Sequence, residues 1–132
     1  MWIKTAAAND VDYPGPSWET IERLIRSLDG SKLTDVFLYV QDLARYMGIS
    51  GGNQGRYRVG IQDGETAHYF LHNSAHGTED VMVRVGDLDD YYPATFLHSL
   101  DTALSVARAY AEEGSLPTGY DWKQVKKGRA AE

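Results

Sequence analysis

The sequence predicts an α+β fold: an antiparallel β meander of four to five strands with two α-helices packed on one face. Three observations predict it. Two stretches repeat apolar residues at helical spacing between capping residues, the chain between them alternates with the period of a strand, and Asp63–Gly64 sits where one alternating run reverses into the next. With 132 residues, 42% of them hydrophobic, the chain buries one core and is too short for two ordinary domains. The expected organisation is an irregular lead over 1–15 with room for a short strand, one domain over 16–125, and a flexible tail over 126–132.

The first helix is written in "SWETIERLIRSLDG". Ser17 is placed to cap it, Glu19 sits in its first turn, Ile21, Leu24, Ile25 and Leu28 form one stripe, and Gly30 follows its end. Glu22, Arg23 and Arg26 fall on the wet face. "DVFLYVQ" and "LARYMGIS" then change the period to that of strands. "RYRVGIQ" sets Tyr57, Val59 and Ile61 on one face and Arg56 and Arg58 on the other. After the turn at 63 and 64, "ETAHYFLHN" continues with Tyr69 and Leu71 sharing a face, and "DVMVRVG" repeats the alternation at Val81, Val83 and Val85. "SLDTALSVARAYAEEG" is the second helix, capped by Ser99, with Asp101 near its positive end and Gly114 as its stop. Its stripe of Ala103, Ala107, Tyr110 and Ala111 is small enough to lie close to a sheet. Tyr57, Tyr69 and Trp122 are expected in or at the edge of the core.

Composition narrows the function. There is no cysteine, so disulfides, thiolate metal sites and cysteine nucleophiles are excluded. No segment is apolar enough to span a bilayer or to serve as a secretory leader, and a cytoplasmic protein that does not contact the membrane is expected. Nineteen acidic residues against 13 Lys and Arg give a formal net charge of -6, which disfavours direct nucleic-acid binding and favours a basic partner.

The acidic stretch "VGDLDDYYPATF" concentrates Asp87, Asp89, Asp90, Tyr91 and Tyr92 between a strand and a helix. As a calcium loop it fails after two ligands, since Tyr92 stands where the invariant glycine belongs and His98 where the bidentate glutamate belongs. The plain reading is a solvated turn. The functional one is a partner-facing loop, because tyrosine beside aspartate couples a rigid contact surface to charge steering. His68, His72 and His76 are four apart, but on a strand that spacing spans about 13 Å, too far for one ion. "GISGGNQGRYR" lacks the lysine and hydroxyl of a phosphate loop, and there is no G-x-S-x-G elbow. The expectation is therefore no catalytic residue, no metal and no cofactor. An alternative anion-binding face gathers Arg56, Arg58, His68 and Arg84 on the side of the sheet away from the core, and the bland reading of that row is a solvated face.

The order of elements carries a resemblance. An opening helix with "IERLIRSLDG", a hairpin meander through "GGNQGRYRVGIQDGE", the strand "VMVRVG", an acidic linker with "YYP" and then "LDTALSVARAYAEEGSLPTGYDW" resemble the first-numbered immunity-protein family of bacterial polymorphic toxin systems over about residues 16 to 122. Gly114, Pro117 and Trp122, with the final helix, are its most specific part. Where that family often has paired glycines after the strand, this chain has Gly86 followed by Asp87. The resemblance implies an α+β protein without enzymatic activity that binds the C-terminal domain of a cognate secreted toxin in the cytoplasm and neutralises it. Several toxins of such systems are nucleic-acid deaminases. The free edge of the meander leaves a monomer or a weak homodimer as the expected state.

Overall fold

A computed structural model describes residues 1–41, 44–65, 67–85 and 88–126. In chain order the elements are β1 (Thr5–Ala8), β2 (Val11–Pro14), α1 (Trp18–Arg26), β3 (Asp35–Gln41), β4 (Arg45–Gly51), β5 (Tyr57–Asp63), β6 (Ala67–His72), β7 (Asp80–Val85), β8 (Leu88–Pro93), α2 (Leu100–Glu113) and β9 (Asp121–Lys126). Seven strands form one antiparallel sheet in the order β2-β1-β3-β4-β5-β6-β9, and among the described residues β7 pairs with β8 alone.

Both helices begin as their sequences predict. The Ser17 hydroxyl accepts from the Thr20 amide at 3.2 Å, and the Ser99 hydroxyl accepts from the Thr102 amide at 3.2 Å. α2 ends at Gly114, which takes φ +69° and returns its amide to the Tyr110 carbonyl at 2.8 Å. α1 buries Ile21, Leu24 and Ile25, with Leu28 just beyond its end, and α2 buries Ala103, Leu104, Val106, Ala107, Tyr110 and Ala111. These side chains share one core with Ala6, Ala8, Val36, Leu38, Val40, Met47, Ile49, Val59, Ile61 and Leu71 from one face of the sheet. Each fully buried Ile, Leu or Val contributes about 1.5–3 kcal/mol relative to exposure. Both helices therefore cover the same face. The opposite face carries Phe37, Tyr39, Tyr46, Gly48, Arg58, Gly60, His68 and Phe70, by the alternation of their strands.

The sheet differs from the meander expected from sequence in three ways, and the first two make it larger. The lead over 1–15 forms the hairpin β1–β2, and β1 lies beside β3, where Ala6, Ala7 and Ala8 are buried. Alanine has little strand propensity, but pairing on both sides, with β2 and β3, and burial of the three side chains override it. The C-terminal segment forms β9 against β6 and runs to Lys126, so ordered sheet reaches into the expected tail; residues 127–132 lie outside the described residues. Trp122 opposes Leu71 there and packs on the core, donating from Nε1 to the Pro117 carbonyl at 3.0 Å. Third, the run at Val81 and Val83 leaves the sheet and pairs with "LDDYYP", which is a strand and not a turn. Tyr57 is buried as expected, whereas Tyr69 is only half-buried.

Candidate functional site

The hairpin β7–β8 is held at the end of the sheet by polar and apolar contacts. Asn53 acts as a substitute strand edge: its Nδ2 donates to the Met82 carbonyl and its Oδ1 accepts from the Arg84 amide, both at 3.2 Å. Val83, Tyr92 and Leu97 form a small second core beneath it. Gly51 permits the approach, because a Cβ at that residue would lie 2.8 Å from Cγ1 of Val83, and its φ of +104° already excludes most side chains.

Tyr92 is the joint between hairpin and sheet. It is 8% exposed, so the sequence expectation of an exposed aromatic anchor is corrected at this residue. Alternation explains the burial: Tyr92 shares the inward face of its strand pair with Val81 and Val83, whereas Tyr91 points out. The Tyr92 hydroxyl accepts from Nη1 of Arg58 at 2.8 Å and donates to Oδ2 of Asp90 at 3.1 Å. The Arg58 guanidinium also lies 4.7 Å from the centre of the Phe70 ring and 4.6 Å from that of Tyr92. Burial raises the Tyr92 phenol above its ordinary value, with the Arg58 charge opposing that shift.

The remaining acidic residues separate into distinct roles. Asp89 takes both Nε and Nη2 of Arg84 at 2.9 Å across the strand pair. Oδ1 of Asp90 accepts from the Tyr91 amide at 2.9 Å. Leu88 and Tyr91 are 71% and 63% exposed, and Asp89 and Asp90 lie exposed between them. Asp87 lies outside the described residues. The tip of the hairpin as far as it is described, Leu88 to Tyr91 on β8, thus exposes apolar and acidic side chains on an anchored base, with Leu88 and Asp90 on one face of the strand pair and Asp89 and Tyr91 on the other.

The four residues of the alternative face do not form one cluster. Arg58 and His68 line the same depression on the open face of the sheet, together with Asp35, Phe37, Tyr46, Ser50 and Phe70. Arg84 is engaged with Asp89 on the hairpin. Arg56 lines a different hollow, beside His76, Leu97 and His98. His68 and His72 share a face of β6 but serve different contacts: His68 Nδ1 meets Oε1 of Gln62 at 2.7 Å, and His72 Nδ1 meets Oδ2 of Asp121 at 2.9 Å. Buried His98 meets the Leu71 carbonyl through Nε2 at 2.8 Å, and His76 meets the Leu97 carbonyl through Nδ1 at 2.8 Å. Among the described residues, no group of three or more His, Asp or Glu side chains is placed to hold a metal ion, and no helix is long and apolar enough to cross a membrane.

The sequence reading passed over the aromatic side of β3 and β4. Phe37, Tyr39 and Tyr46 form a ring cluster on the open face with centroids 5.6 to 6.1 Å apart. The signal was present: in "DVFLYVQ" the residues alternating with Val36, Leu38 and Val40 are aromatic, which marks a second functional or apolar face. Neither a scan against protein-family models nor a search of curated proteins finds a match to this chain.

Proposed function

We propose that this is a binding protein and not an enzyme: an immunity protein that neutralises a cognate toxin domain in the cytoplasm by occluding its active site with the tip of β7–β8. The observation that carries this reading is the exposure of Leu88 and Tyr91 around Asp89 and Asp90 on a hairpin whose base is pinned by Asn53, Val83 and Tyr92. An exposed aromatic on a fixed element brings contact area at low ordering cost, and adjacent carboxylates steer a basic surface toward it. The order of elements resembling the immunity family and the net charge of -6 support the same role.

The test is calorimetric titration against the C-terminal domain of a candidate cognate toxin, sought as a secreted protein encoded beside this one, with a Leu88→Ala/Tyr91→Ala double variant. These side chains do not belong to either core cluster, so the variant is expected to melt as the parent does. Its affinity is expected to fall by at least about tenfold, the equivalent of ~1.4 kcal/mol. Tight binding that the variant retains in full would place the interface away from the hairpin tip. No binding at micromolar concentration would overturn the neutralising role.

A further inference from the structure

The open face of the sheet holds a second arrangement, independent of the hairpin tip. Gly48 and Gly60 are directly opposed on the two central strands, β4 and β5. Phe37 leans over Gly48 from β3, and Phe70 leans over Gly60 from β6: a Cβ at either glycine would lie 3.0 or 2.9 Å from the nearest ring carbon. The two rings therefore converge from opposite sides above a floor without side chains. The resulting depression encloses about 180 Å³. That is below the roughly 300–1,000 Å³ of sites for drug-sized ligands, and suits a single ring system.

The polar groups of the depression have assigned hydrogen-bonding roles. Gln62 Nε2 donates to the Gly64 carbonyl at 2.6 Å, which fixes the orientation of its amide, so Oε1 is the atom facing His68. An amide oxygen only accepts, so His68 Nδ1 carries the proton and Nε2 is the acceptor of the neutral ring. Nε2 sits above the floor, 3.2 Å from where a Cβ of Gly60 would be. Burial, aided by the Arg58 charge, lowers the His68 pKa and keeps the ring neutral at pH 7. The Ser50 hydroxyl donates to Oδ1 of Asp35 at 2.8 Å, which leaves its own oxygen lone pairs as acceptors. Asp35, Ser50 and Arg58 lie in one cross-strand row, so an anionic and a cationic side chain flank the depression two strands apart, about 10 Å. The two charges offset one another at the centre of the depression, so a ligand seated between them gains nothing from a net charge of either sign.

We propose that this depression binds one planar, uncharged aromatic heterocycle bearing a ring N–H, of the nucleobase class. The ring stacks against Phe37 and Phe70, its N–H donates to Nε2 of His68, and a ring carbonyl faces the Arg58 guanidinium. Free uracil, thymine, cytosine and guanine carry both ring N–H donors and carbonyl acceptors on their rims, which matches this division of roles. The chain's net charge of -6 favours the free base over a base within a polyanionic strand.

The experiment is NMR titration of the full chain with free uracil, thymine and cytosine. Saturable shifts are expected for at least one of them, centred on the Gly48 and Gly60 amides and the Phe37 and Phe70 rings. Uracil methylated at both ring nitrogens keeps the plane and the carbonyls but has no N–H, and is expected to bind about tenfold more weakly than uracil. His68→Phe, which keeps a ring and removes the acceptor, is expected to abolish that difference. If it does not fold, Phe37→Leu asks about stacking instead and is expected to weaken binding about tenfold. No saturable shift at millimolar base, shifts confined to another surface, equal binding of the dimethylated base, or binding of an oligothymidylate strand without binding of free thymine would each overturn the proposal. None of these results depends on the hairpin tip, so the neutralising role stands or falls separately.

Discussion

Tyr92 shows how much one hydroxyl can couple. It accepts from Arg58 and donates to Asp90, so it links the sheet to the hairpin while its ring fills the small core with Val83 and Leu97. Tyr92→Phe keeps the ring and removes both bonds. Urea denaturation is expected to show a loss of about 0.5–1.5 kcal/mol, since each freed partner regains water at the partly exposed rim. The histidines give a pH dependence with a definite sign. Burial is the main cause that lowers the pKa of both His68 and His98, from an ordinary value of 6.5. The unfolded chain therefore takes up these protons before the folded one as the medium is acidified. Their contribution to stability is fully present above about pH 6.5 and is lost as pH falls through the lowered folded values. Thermal melts between about pH 7 and pH 5 should show a falling midpoint, and His68→Phe should flatten the slope, which separates its share from that of the carboxylates. An unchanged slope would contradict the assignment of His68 as a half-buried ring whose pKa is lowered.

Among the elements, the hairpin β7–β8 is the unit with a core of its own. Leu97→Ala removes a large part of that core, and a cost of about 2–5 kcal/mol is expected. Hydrogen exchange should show its location: amides of β7 and β8 lose protection first, while those of β3, β4 and β5 keep theirs. A uniform loss across all strands would mean that hairpin and sheet open as one unit. The elements also show what sequence can and cannot convey. Both helices were legible because Ser17, Ser99 and Gly114 act on backbone groups a few residues away, and the 3.6-residue stripe needs no knowledge of its partner. β1 was not, because "TAAA" carries no strand signal and is extended only through its position between β2 and β3. For Val81 and Val83 the alternation was legible, but the choice of partner strand was set by Asn53 and Gly51, about thirty residues earlier. The acidic stretch read as a turn because consecutive aspartates and a Tyr-Pro pair suggest one, while cross-strand pairs such as Arg84 with Asp89 hold it extended.

At the scale of the whole molecule, the excess of acidic side chains acts at a distance on any basic partner. Association with such a partner is expected to slow as salt rises, because the screening length contracts from about 30 Å at 0.01 M to about 8 Å at 0.15 M. Stopped-flow measurement of the association rate over that range checks it, with dissociation changing far less. A rate indifferent to salt would remove charge steering from the account. The general plan of helices over one face of an antiparallel sheet followed from the sequence, but of the residues expected on the open face only Arg58 and His68 line its depression. The depression itself was not legible: the opposed glycines and the convergence of Phe37 and Phe70 depend on the register of four strands, which no short window encodes.

The position of β9 has a consequence for how the chain is made. β6 ends at His72, yet its outer neighbour begins at Asp121, after the hairpin and α2 have been synthesised. On the ribosome the backbone groups along that side of β6 stay without their native partner while those intervening residues emerge. Completion of the sheet is thus deferred until after residue 126 has left the exit tunnel, and at synthesis rates of about 5–20 residues per second this leaves an edge open for seconds. During that interval the nascent chain is most exposed to mispairing with a neighbour.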